Sequence, residues 1–512
     1  MKNPPSAAKA SENRVMSKRE VLAYAFGLFG FQAIVGLLNT YQAEFFSYAM
    51  AADIAIVGII VLVARVASAV ADPFIGNLID RTQSKFGKLK PFILYSLAPL
   101  VVMTVLIFTP FKGISGVGLY FYIFFMYFIW CMAMTLGDVP SQAIAAVLTP
   151  YPAERTKVVS LANTLKSVGF ASPAILVPLC TLLLPGGAKF MTGAISEWEY
   201  FISAAVIAVL GSALFLLIFF INKERVPYKV EKMSFREMGR ALKTNKYLML
   251  VFLSYFLGFG RQAAMGIQAQ VAGAILGSPA KILPLGITSA LGSMVSMLSV
   301  PFLIKKFDER KVYIGMSLYG FIMSTATFIA FYFIGFEGFN MYIILGMMFL
   351  MGLQFGCVNI VPVLMVADTV DYYEYKTGKR TEGTAYAVLS FAIKVSLAMG
   401  AALGLVIIGL SGYKASIPFE QITKSTKDWV FFAYTAMPGI TSLLTALPMF
   451  RYDLVGKKKE EIMAALKSRR EAAQAENPTT EPADGTLAEY EADISGVDDV
   501  KESENGGENV SD

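Results

Sequence analysis

Residues 65 to 91 of the chain read RVASAVADPFIGNLIDRTQSKFGKLKP, an apolar run that ends in a charged pair and a basic turn. The run begins near Ile54 and is long enough to cross a bilayer, yet it contains Asp72 next to a proline. An ionised carboxylate at membrane depth costs roughly 2.5 to 3.5 kcal/mol, so we expect Asp72 to face a polar interior and to be functional. The lysines that follow Asp80 and Arg81 predict a hairpin on the cytoplasmic side.

The composition of the whole chain indicates a polytopic membrane protein. Of its 512 residues 55% are hydrophobic and only 16% are charged, and the mean hydropathy is +0.57. The chain contains no histidine, which removes the commonest metal ligand, general base and proton relay. The three cysteines lie in separate apolar segments, a spacing that favours neither a disulfide framework nor a zinc site.

Apolar runs long enough to span a bilayer recur along the chain, since a transmembrane helix needs about 20 predominantly apolar residues. The sequence therefore predicts an all-α membrane protein with twelve transmembrane helices in two six-helix bundles. The predicted spans are 21–44, 54–79, 91–110, 117–148, 157–184, 199–222, 247–276, 282–305, 311–335, 340–367, 383–411 and 428–450.

The connections between the spans predict the domains and their orientation. A long basic loop, 223–246, separates a bundle at 21–222 from one at 247–451, as in transporters built from repeated bundles. Lysine and arginine crowd the even-numbered connections, so we expect both termini on the cytoplasmic side of the cytoplasmic membrane. The predicted cytoplasmic parts are an arm at 1–20 and a tail at 452–512, whose acidic end is typical of disorder.

A few ionisable residues lie inside the predicted spans. Arginines and lysines in such places either reach the membrane surface or pair between helices. Asp72, Asp138 and Lys394 lie nearer the middles of their spans, and we expect them to line a central aqueous cavity. The full set is Arg65, Asp72, Asp138, Lys166, Arg261 and Lys394.

Four motifs resemble the glycoside-pentoside-hexuronide:cation symporters, the melibiose-permease-like branch of the major facilitator superfamily. They are Asp72-Pro73-x-x-Gly76-x-x-x-Asp80-Arg81 with the basic turn after it, Gly137-Asp138-Val139-Pro140, the stretch 366–372, and Arg380-x-Glu382-Gly383 followed by Lys394. The resemblance implies a secondary active transporter that moves a sugar or glycoside together with a cation by alternating access. It implies no cofactor and no covalent chemistry.

The resemblance also implies a cation site. Its carboxylate corresponds to Asp72 and its helix IV hydroxyl to Thr135, whereas the earlier helix II carboxylate is Ser68 here. A sodium ion needs several hard oxygen ligands, but a proton needs only one suitably placed carboxylate. We therefore expect proton coupling through Asp72, with sodium as the alternative coupling ion.

The sugar-facing positions of the family diverge more. Amide side chains, which both donate and accept hydrogen bonds, stand where the family has charged or aromatic groups. The lysines in the set favour an anionic glycoside such as a hexuronide. The implied substrate-binding residues are Gln32, Asp138, Gln142, Asn163, Lys166, Asn359 and Lys394.

The charged motifs at the cytoplasmic ends predict a gate. Arg81 and the lysines of the basic turn, next to Asp80, can pair with acids such as Asp368 and Asp371 on the other half and release them when the halves rock apart. We expect a monomer in the lipid bilayer that binds a small solute and a monovalent cation and no nucleic acid.

Other functions remain open at this level. A carrier for a lysolipid or another amphiphile would share the architecture, since the pocket lacks the sugar-stacking tryptophans of the family. A membrane receptor would bind without transporting. An enzyme is disfavoured because the sequence offers no recognisable nucleophile and base pair.

Overall fold

The computed structural model describes residues 16–82, 84–111, 113–149, 152–184, 195–225, 235–378 and 382–476, and helices are the only regular structure in those ranges. The first nine are α1 (Lys18–Ala49), α2 (Ile54–Arg81), α3 (Lys90–Ile107), α4 (Gly116–Ala143), α5 (Ala145–Leu148), α6 (Pro152–Ala171), α7 (Pro173–Leu183), α8 (Glu197–Ile221) and α9 (Phe235–Thr244). The others are α10 (Lys246–Leu257), α11 (Gly260–Gly266), α12 (Gln268–Leu276), α13 (Leu283–Phe307), α14 (Glu309–Ile334), α15 (Asn340–Thr377), α16 (Glu382–Leu410), α17 (Lys424–Tyr434), α18 (Ala436–Met449) and α19 (Lys457–Glu476).

The number of predicted spans is confirmed when broken helices are counted as single spans. Within the described ranges, ten helical segments are long and apolar enough to cross a membrane, and two bent pairs raise the number to twelve. The pairs are α6 with α7, bent by 47°, and α10 with α11, bent by 42°. The fifth span, predicted as continuous, breaks just before Pro173, since proline lacks an N–H and restricts the residue before it.

Several boundaries and connections differ from the sequence prediction. The helix α1 begins at Lys18, inside the predicted arm, because Ser17 and Glu20 form a capping box. The predicted loop 223–246 contains α9, and the predicted tail contains α19. The sequence of α19 is rich in alanine, lysine and glutamate, which favour helix, and most of the acidic composition begins only after it.

The helix α19 belongs to a separate compact unit, whose described residues are 371–378 and 456–476. Within this unit the Arg469 guanidinium donates to the Tyr375 carbonyl at 2.8 Å and lies 5.1 Å from the centroid of the Tyr375 ring.

Close helix packing holds the membrane-spanning unit together. The helix α1 packs on α6 and α8, and α2 packs on α16 of the other half. A Cβ at Gly30 would collide with the Gly211 carbonyl, so glycine is needed where α1 crosses α8. The C-terminal half is built in the same way, with α14 on α18 and α11 on α16.

Successive spans run in opposite directions, which gives the bundle two ends. We call the end where α1 begins the terminal end and the opposite one the distal end. The connections at 50–53 and 411–423 lie at the distal end, and the α2–α3 turn lies at the terminal end.

Candidate functional site

Two hydroxyl groups meet in the interior of the N-terminal half. Ser68 of α2 and Thr135 of α4 are 8% and 2% exposed, and their side-chain oxygens lie 2.7 Å apart. The Ser68 hydroxyl also lies 3.4 Å from the Cys131 carbonyl, to which it donates. The structure therefore brings together two of the three residues that the sequence assigns to the cation site.

The third residue, Asp72, lies on α2 one turn beyond Ser68. The helix continues through Asp72 and the proline after it. The Asp72 side chain lies outside the described residues, so its role as cation ligand stays a prediction.

A carboxylate, an amide and an ammonium group form a second cluster beside these hydroxyls. Asp138 of α4 is 6% exposed, and its Oδ2 accepts a hydrogen bond of 2.7 Å from Gln142 Nε2. Lys166 Nζ of α6 lies 3.9 Å from Asp138 Oδ1 and is a quarter exposed. This ion pair is long, which leaves the lysine N–H groups able to bind a further acceptor.

The two clusters are contiguous along α4. Thr135, Asp138 and Gln142 occupy successive helical turns, since residues three and four apart lie on one face of a helix. The hydroxyl pair is therefore one turn from the buried carboxylate, and α4 contributes residues to both clusters.

Arg65 lies on α2, one turn before Ser68. The sequence analysis did not identify its hydrogen-bond partners. Its Nε donates to the Tyr127 hydroxyl and one of its terminal nitrogens to Asn39 Oδ1, each at 2.7 Å. The guanidinium therefore ties α2 to α4 and α1. The signal for Tyr127 was present in the sequence, because it lies eight residues before Thr135 on the same face of α4.

Within the described part of the chain, four other predicted substrate residues make no hydrogen bond or ion pair with Asp138. Gln32 is buried on α1, and Asn163 is exposed on α6, one turn before Lys166. Asn359 on α15 and Lys394 on α16 are half-buried in the C-terminal half. Among the predicted substrate residues, Gln142 and Lys166 are thus the two that contact Asp138.

A buried arginine, Arg261 of α11, lies in the C-terminal half. It is 7% exposed, stacks 4.8 Å from the centroid of the Tyr255 ring and makes a long hydrogen bond of 3.5 Å to the Val358 carbonyl. Its Nε and one terminal nitrogen have no partner among the described residues. Val358 directly precedes Asn359, so this cation borders a predicted substrate position.

The predicted gate residues lie at the terminal end. Asp80 and Arg81 end α2, and their side chains lie outside the described residues. Asp368 and Asp371 are half-buried near the end of α15. Pairing between these groups therefore stays a prediction.

The basic turn after them has a partner that the sequence analysis missed. The Glu224 carboxylate accepts hydrogen bonds from the backbone N–H groups of Lys88, Leu89 and Lys90 at 2.9, 3.0 and 3.0 Å. Gly87 has a φ of +106° and leaves no room for a Cβ against this carboxylate. A carboxylate at the start of α3 interacts favourably with the helix dipole. The sequence analysis did not find this contact because Glu224 lies far from the turn along the chain.

Comparison with known proteins shows which family the chain resembles. The profile of the family described as MFS/sugar transport protein matches residues 23–456. The chain is 25% identical over 467 residues to a Bacillus subtilis (strain 168) protein named uncharacterized symporter YnaJ, covering 90% of this chain and 97% of that one. It is 23% identical over 466 residues to the glucuronide carrier protein homolog of Escherichia coli (strain K12), covering 90% and 98%.

A solved structure shows the same fold. The crystal structure of the nucleoside transporter NupG superimposes with a TM-score of 0.58 at 15% identity, covering 85% of this chain and all of that one. The spans in the described ranges agree with the major facilitator fold, and the family match identifies a membrane transporter, not an enzyme. The chain belongs to the MFS/sugar transport protein family.

Proposed function

We propose that the chain is a secondary active transporter that moves a sugar or glycoside together with a cation by alternating access. The observation that carries the proposal is the contact of Asp138 with Gln142 and Lys166, one helical turn from the Ser68 and Thr135 hydroxyls. A solute site and an ion site on one helix can be occupied and emptied together. The similarity to named symporters and to a glucuronide carrier homolog supports the same function.

The coupling ion in this proposal is a proton held by Asp72. The Ser68 and Thr135 hydroxyls hydrogen-bond each other and together offer two oxygen atoms to a metal ion. A sodium ion would need several oxygen ligands beyond these two, whereas a proton needs only the Asp72 carboxylate. Sodium remains the alternative, with Asp72, Ser68 and Thr135 as its ligands.

The substrate in this proposal is a glycoside with an anionic group. Asp138 and Gln142 would bind hydroxyl groups, and Lys166 would bind the carboxylate of a hexuronide, since its pairing with Asp138 is long. Gln32, Asn163, Asn359 and Lys394 would complete the pocket as the halves close around the solute.

The gate and the orientation complete the proposal. Arg81, next to Asp80, would pair with Asp368 or Asp371 at the terminal end when it is closed. The basic connections favour the cytoplasmic side of the cytoplasmic membrane for that end and for both termini. The transporter would act there as a monomer.

Uptake into proteoliposomes tests the function. We expect an inward pH gradient at constant sodium to drive accumulation of an aryl glucuronide, and Asp138→Asn to abolish it. Glu337→Gln, which changes an exposed carboxyl group in a connection, is the matched control and should transport normally. Accumulation driven only by a sodium gradient would overturn the proton assignment, and binding without accumulation would indicate a receptor.

Labelling of intact cells tests the orientation. A cysteine at position 337 lies in a distal connection and should react with a maleimide that cannot cross the membrane. Protection of this cysteine until the cells are opened would reverse the proposed topology.

A further inference from the structure

A buried carboxyl group that belongs to neither cluster lies near the distal end of α1. Glu44 is 2% exposed. Its Oε1 accepts a hydrogen bond of 2.9 Å from the Tyr413 hydroxyl, and its Oε2 has no partner among the described residues. The sequence analysis did not single it out, because it stands at the edge of a predicted span.

Hydrogen bonds from the other half converge on this end of α1. Tyr413 lies in the connection after α16. The side-chain oxygen of Gln270 on α12 accepts a hydrogen bond of 3.1 Å from the Glu44 N–H, in the amide orientation that gives both its oxygen and its nitrogen a partner. One turn further along α1, the Ser47 hydroxyl accepts from the Ala415 N–H at 3.3 Å. We call Glu44, Ser47, Gln270, Tyr413 and Ala415 the distal latch.

The helices around the latch approach closely. A Cβ added at Gly273 of α12 would lie 2.6 Å from the Tyr413 hydroxyl and 3.3 Å from Glu44 Oε1. At the same end, a Cβ at Gly58 of α2 would lie 2.9 Å from the Ala402 carbonyl of α16. The two halves are therefore in contact here, and the structure shows the distal end closed.

The charge around Glu44 decides its protonation. Among the described residues Glu44 makes no ion pair, and the titratable groups of other elements in electrostatic contact with it are Tyr413 and Tyr200. Further out, Tyr41 and Tyr48 on α1 and Glu199 on α8 adjoin Tyr200. Because none of these groups is a cation, a buried carboxylate would be uncompensated, whereas a neutral carboxyl group costs far less.

We propose that Glu44 is a proton-binding residue of the distal gate, neutral when the two halves close over it and ionised when they part and water reaches it. The proposal rests on the alternating-access function given above. It adds a second protonatable carboxyl group to the transport cycle, separate from Asp72 and from the solute.

The direction of the pH effect follows from proton linkage. The closed distal end binds one more proton than the open one, so lowering the pH favours closure and raising it favours opening. For one proton the ratio of closed to open molecules changes by at most about tenfold per pH unit.

Distance measurements on the full-length protein test this directly. Spin labels on Ser115→Cys and Glu337→Cys would report the distal end, since both positions are exposed there and belong to opposite halves. Cys180→Ala removes the one native cysteine that is not buried. The protein is measured in lipid nanodiscs between about pH 8 and about pH 5.5, without solute and without an ion gradient.

We expect the short-distance population to grow as the pH falls. Glu44→Gln is neutral at every pH and keeps an acceptor for the Tyr413 hydroxyl, so it should be closed across the whole range. Glu420→Gln, an exposed carboxyl group at the same end, is the matched control and should keep the wild-type profile. Tyr413→Phe removes the hydrogen bond and should lower the closed fraction.

Either of two results would overturn the proposal: a wild-type profile in Glu44→Gln, or a distance distribution that does not change with pH in the wild type. If Glu44→Gln does not fold, a Tyr413→Phe protein with the same distance distribution as the wild type would refute the distal latch. Since no solute is present, these results are independent of the uptake experiment. Failed glycoside uptake with a pH-dependent gate would refute the proposed function alone.

Discussion

At the scale of single residues, the proposed preference for an anionic solute rests on the charge and length of Lys166. Its ammonium group lies 3.9 Å from Asp138 Oδ1, too far for a strong hydrogen bond but close enough to share a ligand with it. A neutral glycoside would need only the hydroxyl-binding groups of the cluster.

We therefore predict that Lys166→Met weakens the binding of an aryl glucuronide by about tenfold or more, because a hydrogen bond to a charged group contributes about 1.5 to 3 kcal/mol. Binding of the matching neutral glucoside should change little. Competition binding to the purified protein measures both affinities. Lys157→Met, an exposed lysine on the same helix, is the control, and equal losses for both ligands would contradict the assignment.

Arg65 gives a second prediction at this scale. A guanidinium can donate to Asn39 and Tyr127 at once, whereas a lysine ammonium cannot reproduce the planar fork. We expect Arg65→Lys to lower the free energy of unfolding by about 1 to 3 kcal/mol, since a buried acceptor is left unpaired. Unfolding titrations in mixed micelles measure the change.

A comparison variant separates the two contacts of this arginine. Tyr127→Phe removes the Tyr127 contact and keeps the Asn39 one, so it should cost less than Arg65→Lys. An Arg65→Lys protein as stable as the wild type would show that the arginine serves another purpose.

At the scale of the helices, small residues decide how closely the elements pack. Membrane helices gain little from the hydrophobic effect against one another and depend on close van der Waals contact. Gly36 of α1 faces the Phe170 carbonyl of α6 without room for a Cβ. At Gly346 in α15, in contrast, an added Cβ would have no neighbouring atom within 4 Å.

We predict that Gly36→Ala destabilises the protein by about 1 to 3 kcal/mol, the usual cost of overpacking. Gly346→Ala is the matched control and should be neutral or stabilising by up to about 1 kcal/mol, because alanine favours helix. Thermal unfolding of both variants in the same detergent gives the comparison. Equal shifts would show that helix propensity, not packing, dominates.

At the scale of the whole molecule, the contact between the two halves at the distal end must break during transport. The Ala415 N–H and the Ser47 hydroxyl lie 3.3 Å apart across that contact. Cysteines at both positions would be close enough to form a disulfide in the closed state.

We predict that the double variant Ser47→Cys with Ala415→Cys loses uptake on oxidation and regains it on reduction. Oxidation should leave the single variant Ser47→Cys active. Uptake assays before and after treatment with a reductant check the result. Unchanged transport by the fully oxidised protein would mean that the distal end does not need to open.

Much of this architecture follows from patterns along the chain. Apolar runs of bilayer length and the basic connections between them are local properties, so the span count and the division into halves were predictable. The break before Pro173 could also have been predicted, because proline interrupts the helix in which it lies. The helix α19 was not predicted, since the acidic end of the tail masked a segment of good helix formers.

The contacts of the site were predictable only in part. Asp138, Gln142 and Thr135 lie on one face of one helix, and their spacing already placed them together. The arrival of Lys166 at Asp138 and of Asn39 at Arg65 depends on how α6 and α1 pack against their neighbours. The partnership of Glu224 with the turn at Gly87 joins positions far apart in the chain, which no local pattern reports.

The amino-acid sequence by itself determined that this chain crosses a membrane many times, and which few charged groups are buried there. Burial in lipid costs free energy for each polar group separately, so the membrane-spanning segments and their buried charges can be recognised residue by residue. Only the tertiary structure decided which of those groups meet, because helix packing in a bilayer depends on small steric differences between distant segments. The distal latch could be recognised only in the tertiary structure, because the tyrosine and amide groups around the Glu44 carboxyl group come from elements far apart in the chain.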